Sequence, residues 1–201
     1  MSGNTTHPRP GLAALDARAL AALLDAWSRG EGTPDGEGDG FLCELGGLHA
    51  ANAELWDLED RVRRVDLPAE AVAAAKRAID AANLRRNRRI EALDLRILDL
   101  LGEAGVEMRP DAPCHTESPG MILDRLSIFS LRIHAYREDV SVPMENGDAV
   151  ASRERCKAAA AGREALVAAA EGFFRELSRG ERRFHPAREL KRYRPHPDGT
   201  T

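Results

Sequence analysis

The stretch from Pro68 to about Gly102 constrains this chain most, because it reads as one helix of unusual length. Pro68 sits at its first turn, where the missing N–H costs nothing, and Gly102 and Gly105 are its stop signals. Composition agrees with a helical chain: Ala, Leu, Arg and Glu dominate and aromatics make up only 4%. At 201 residues the chain is long enough for one well-buried core and short for two domains. No strand pattern or internal repeat is visible.

Residues 1–10 read as a loose polar tail. Leu12, Leu15, Leu20, Leu23, Leu24 and Trp27 then mark a helix over about 12–28. The run RGEGTPDGEGDG (29–40) is a flexible Gly/Asp linker that would let this first helix dock loosely or serve as a lid. A second helix spans 41–65 and ends at Leu67-Pro68. After the long third helix comes a loop over 106–118, and Ser118-Pro119 is a good start for a fourth helix, reaching about Tyr136. That helix is apolar on nearly every side, which predicts a place in the middle of a bundle. A loop over 138–148 and an Ala-rich helix over 149–178 complete the pattern. The expected architecture is all-α: a five-helix, bundle-like single domain with a polar interior site and flexible termini. Its core spans 41–180, flanked by 1–40 and by a basic tail over 181–201.

Several function classes are disfavoured. A formal net charge of −4 gives no global field for nucleic acid or anionic membranes. No apolar run approaches the ~20 residues of a bilayer span, and the start of the chain lacks a signal-peptide core. Cys43, Cys114 and Cys156 are odd in number and widely spaced, fitting a reduced, cytoplasmic setting rather than a disulfide framework or metal clip. Cys114 beside His115 is a poor nucleophile pair, since adjacent residues rarely orient that way. No GxGxxG or GxxxxGK pattern occurs, and no inward ExxH pair favours a di-iron site.

Two helices carry polar residues where a core is expected. In the second, Phe41, Leu45, Leu48, Asn52, Leu55, Glu59 and Val62 recur in steps of four and three, the rhythm of a packing seam. His49, Trp56, Asp60 and Arg63 lie beside it. In the third, Val72, Ile79, Ile90, Ile97, Leu98 and Leu101 predict the inward face, with Lys76, Asp80, Asn83, Asn87, Glu91 and Asp94 on the same side. Arg85, Arg88, Arg89 and Arg96 point the other way, as a solvated face or one for subunit pairing. With Asp124, the inward acids outnumber Lys76, Arg63, Arg125 and His49, so protonation, water or a bound cation has to balance them. The alternative is a structural lattice that fixes helix register. Thr116, Glu117 and Ser118 lead into a helix N-terminus, a setting that favours anions. Ser118 as N-cap explains the same residues without a ligand.

The segments LHAANAELWDLEDRVRR (48–64), KRAIDAANLRRNRRIEALD (76–94) and TESPGMILDRLSIFSLRIHAY (116–136) carry a resemblance. With the Cys156-Lys157 helix and the segment FHPARELKRYRPH, they make most of 41–196 resemble the bacterial helical family known as domain of unknown function 4254. His115 and Ser118 depart from that family's pattern; the acidic positions do not. The resemblance implies an association with glycosyltransferase and glycan genes, and hence with sugar-nucleotide or sugar-phosphate metabolism.

Two readings follow. In the first, the chain is a metal-dependent hydrolase or transferase acting on a phosphate-containing or nucleotide-sugar substrate. Glu91-x-x-Asp94 resembles the acidic motifs of all-helical nucleotide pyrophosphatases, although the paired ExxE is missing. Glu59, Asp60, Asp80, Glu91 and Asp94 would hold Mg²⁺ or Mn²⁺, Lys76 and Arg125 would meet phosphate, and His49, with Asp124 nearby, would move protons. In the second, the chain binds a sugar-nucleotide or assists a glycosyltransferase without chemistry. Asn52, Asn83 and Asn87 would then recognise hydroxyls, and Trp56 would offer a sugar-stacking face. A helical scaffold with a structural polar core, and a homodimer, are compatible further possibilities.

Overall fold

The computed structural model, which describes residues 12–32, 40–63, 68–141 and 148–187, is all-α, with five α-helices and no strand among those residues. The expected tail 1–10, most of the Gly/Asp linker and most of the basic tail lie outside them. Local chemistry sets the helix ends. Asp16 accepts a hydrogen bond from the Ala19 N–H at 2.9 Å as an N-cap. Helix α1 therefore runs over Ala17–Ser28, and Leu12–Ala14 form a separate 3₁₀ turn instead of its first turn. Helix α2 spans Phe41–Val62, α3 Ala69–Glu103, α4 Pro119–Ser141 and α5 Asp148–Ser178.

Helices α2 and α3 pack as one hairpin and α4 and α5 as another, while α1 lies against α4 and α5. Helix α4 touches all four others, as its all-round apolar pattern requires. Leu24, Leu45, Leu93, Leu126, Phe174 and Leu177, drawn from all five helices, share one core. Helix α1 is thus an integral wall of the bundle. The first residues of the expected tail are also pinned. The His115 N–H donates to the Arg183 carbonyl at 2.7 Å, the Arg183 N–H donates to the Pro113 carbonyl at 3.1 Å, and Phe184 is buried in the core.

The inward face of α3 differs from the expected one. Ile90, Ile97 and Leu101 are buried, but Val72 and Leu98 are exposed and Ile79 is only half-buried. None of residues 69–81 is buried. At 1.5 Å per residue α3 is roughly 50 Å long, so its first three turns outrun the core and their periodicity points at solvent. Lys76 and Asp80, expected inside, are exposed for this reason, and Asn87, further along, is exposed as well.

Where α3 crosses α4 the backbones nearly touch. A Cβ on Gly120 would sit 2.5 Å from the Ile90 carbonyl oxygen and 2.8 Å from Asp94 Oδ1. Replacing Gly120 with Ala should therefore lower stability by about 1–3 kcal/mol, the usual cost of overpacking. Urea unfolding measures it, and an unchanged midpoint would mean that the two helices do not meet there.

Candidate functional site

A chain of polar side chains threads the bundle from α3 to α1. Asp124 of α4 is buried, and its carboxylate accepts from Arg86 Nε of α3 at 2.7 Å, with Arg86 Nη2 donating to its other oxygen. Asn52 of α2 donates through Nδ2 to Asp124 Oδ1 at 3.0 Å and to Ser127 Oγ at 3.1 Å. Ser127 lies 2.9 Å from His49 Nδ1, and His49 Nε2 lies 3.4 Å from Ser28 Oγ at the end of α1. The Trp27 ring covers the far side of the imidazole at a centroid distance of 6.0 Å. Three of these residues, His49, Asn52 and Asp124, were expected from the sequence.

The bond directions can be assigned along the whole chain. Ser28 donates its hydroxyl proton to the Leu24 carbonyl at 2.9 Å, so towards His49 it can only accept. His49 is then the neutral Nε2–H tautomer, and its bare Nδ1 accepts from Ser127. Ser127 in turn accepts from Asn52, whose amide must face Asp124 with its nitrogen, because its oxygen would meet a carboxylate. The Asp124 carboxylate, the Ser127 hydroxyl and both imidazole nitrogens find partners within the protein, which is the condition for burying such a network at tolerable cost.

Electrostatics follow the geometry. Burial lowers His49 to about 4, with the Asp25 carboxylate pulling weakly the other way. The hydrogen bond to Asp124 raises Arg86 against the opposing effect of burial, and Glu59 lies near enough to add to that. A second, half-buried ion pair backs the first. Asp25 accepts from Ser130 Oγ at 2.7 Å and from Arg163 Nη2 at 2.5 Å, tying α1 to α4 and α5. Because His49, Asn52, Asp124 and Ser127 are all closed to solvent, with Ser127 at 0% exposure, no substrate reaches the imidazole while the helices are packed.

Asp94 does something other than hold a metal. It is fully buried, and its oxygens accept from the Gly120 N–H at 2.7 Å and the Ala187 N–H at 2.8 Å. Burial raises its carboxyl above the ordinary value, opposed by hydrogen bonds from Ala187, Ser118 and Gly120. The anion at the N-terminus of α4 is therefore the protein's own carboxylate. Ser118 acts there as the cap, accepting from the Met121 N–H at 3.3 Å. The expected anion-binding loop corrects accordingly. Thr116 is exposed, and Glu117 grips Arg125 at 2.7 Å across the surface.

The remaining expected residues do not converge. Glu59 and Asp60 are exposed and flank Arg63 at 3.9 and 3.7 Å. Asp80 is exposed, while Glu91 and Asn83 are half-buried. Among the described residues no three His, Cys, Asp or Glu side chains are gathered to hold a metal ion. The carboxylates pair inside the protein instead, Asp124 with Arg86 and Asp25 with Arg163. Sequence reasoning missed Arg86, Ser127, Ser28 and the Asp25 pair. One signal was available: Ser127 and Ser130 stand three and six residues after Asp124, a polar edge on an otherwise apolar helix.

Trp56 opens onto a different feature, a groove of about 390 Å³ between α2 and α4. It is lined by Ala53, Trp56, Asp57 and Asp60 on one side and Leu131, His134, Ala135, Glu138 and Asp139 on the other.

Compared with known families, residues 45–185 match a family model described as "Protein of unknown function (DUF4254)". No curated protein matches the chain, and no solved structure matches it. No described helix is long and apolar enough to cross a membrane.

The neutral histidine carries a pH signature. The unfolded chain binds the His49 proton near 6.5 and the folded chain only near 4. Between those values the unfolded state holds more protons, so stability falls as pH drops, by on the order of 3 kcal/mol across the window. Urea midpoints of the wild type and a His49→Gln variant, compared from pH 7 to 4.5, should diverge at neutral pH and converge on acidification. Parallel curves would mean that His49 is not held neutral.

Proposed function

We propose that this chain, which belongs to the DUF4254 family, is a carbohydrate-binding helical module whose sealed polar core sets the shape of the α2/α4 groove. The observation that carries this reading is Trp56 on a groove wall with the carboxylates of Asp57, Asp60, Glu138 and Asp139 around it. An indole face stacks on the C–H face of a sugar ring, and carboxylates accept hydrogen bonds from paired hydroxyls. The groove volume falls in the range of small-molecule sites, roughly 300–1,000 Å³.

The core and the groove are coupled through helix geometry. Asn52 and Trp56 are one turn apart on α2, as are Ser127 and Leu131 on α4. The hydrogen bond between Asn52 and Ser127 therefore holds the two groove walls in register one turn below the ligand. Four carboxylates disfavour a phosphate inside the same groove, so the recognised part is the neutral sugar. Metal-assisted phosphate chemistry would need Glu59, Asp80, Glu91 and Asp94 together, and their scatter gives that reading less support. An accessory role beside a glycosyltransferase is compatible with binding without turnover.

Trp56 is one of two tryptophans, so a Trp27→Phe background isolates its emission. Titration with a panel of neutral hexoses and nucleotide-sugars should shift that emission saturably and without a divalent cation. In the native background, where Trp27 is kept, Trp56→Ala should abolish sugar binding measured by calorimetry while leaving the melting temperature within a few degrees. Absence of sugar binding to the wild type would overturn the reading, and so would metal-dependent turnover of a nucleotide-sugar.

A further inference from the structure

The N-terminal half of α3 repeats the face that its C-terminal half buries. Val72, Lys76, Ile79 and Asn83 stand 18 positions before Ile90, Asp94, Ile97 and Leu101, about five whole turns, so each residue shares a direction with its counterpart. The later four are all buried. None of the earlier four is: Val72 is 37% exposed, Lys76 is exposed, and Ile79 and Asn83 are half-buried. The path of α4 makes the difference. It meets α3 where Gly120 approaches Ile90 and Asp94 and where Asp124 takes Arg86, and further along it lines a groove with Trp56 and Asp60 of α2. The first turns of α3 are left with an apolar strip and no helix across it.

Two observations say what fits this strip. Its charges are balanced and unused. Lys76 and Asp80 lie one turn apart, both exposed, and neither has an ion-pair partner among the described residues. Their order, cation before acid, is the one that pairs less well within a helix. The strip is also symmetric about its own middle. Val72 and Asn83 are equally far from the point between Arg77 and Ala78, and so are Lys76 and Ile79. A two-fold axis through that point lays a second copy antiparallel on the first. It sets Lys76 of each copy beside Ile79 and Asp80 of the other, closing two equivalent ion pairs along an apolar line.

We propose that the bare strip of α3 is the contact surface for a second copy of this chain, docked antiparallel about that axis. The overhang is roughly 20 Å long, and with α2 alongside roughly 20 Å wide, so each copy offers a footprint on the order of 400 Å². That size supports weak, concentration-dependent pairing. The surface is separate from the sugar groove on the α4 flank of α2, and either can fail alone.

Sedimentation of the full chain over a concentration series tests the pairing. A reversible monomer–dimer equilibrium is expected, weakening as salt is added. Val72→Glu, at a position open to solvent in the single chain, should abolish the dimer and leave the melting temperature unchanged. Lys76→Glu and Asp80→Lys should each weaken association by about tenfold, because two attractions become repulsions. An equimolar mixture of those two variants should recover association, since an acidic pair then meets a basic one, and a folding defect would not produce that recovery. A wild type that stays monomeric through the millimolar range overturns the proposal. So does a dimer indifferent to these substitutions, or a mixture that associates no better than its components.

Discussion

A carboxylate inside a helical bundle is tolerable only if charge and hydrogen bonds reach it from several directions, because desolvating it alone costs several kcal/mol. Asp124 sits in that position on α4, the helix that touches all others. Its partners come from two different helices, Arg86 of α3 and Asn52 of α2, so the carboxylate is satisfied only when both are docked in one register. Through Ser127 and His49 the same requirement extends to Ser28 of α1. An apolar core alone would tolerate sliding by a turn. This one does not, since a slip would leave a buried charge unpaired.

Asp94 applies the same logic at the other end of the α3/α4 contact. It caps α4 through Gly120 and captures the backbone of Ala187, so one side chain joins the long helix, the central helix and the segment that follows α5. The close approach at Gly120 brings the amide to the carboxylate without an intervening side chain. Asp124, Arg86, Asn52, Asp94 and Gly120 all lie within the family match at 45–185, whereas α1 lies outside it and still covers His49.

With the core polar groups committed to one another, the open grooves lie along the flanks of α2. Helix α2 lines two grooves, one acidic and aromatic, the other rich in arginine. This follows from α2 packing against α3 on one flank and α4 on the other. A 22-residue helix in that position has two edges as well as a buried face.

By itself the sequence determined that the chain is all-helical, roughly where each helix lies, that α4 is central, and that His49, Asn52, Asp94 and Asp124 belong inside. Those conclusions rest on local signals: helix-capping residues, proline and glycine punctuation, and a 3.6-residue period. Only the tertiary structure decided which polar stripe is buried. Periodicity assigns residues to a face but says nothing of how far along the helix that face stays covered. Lys76 and Asp80 share a stripe with Asp94 and stand in solvent because α3 outruns the core. Arg86 was invisible as the partner of Asp124 for the matching reason: an ion pair between residues 38 positions apart depends on how α3 crosses α4.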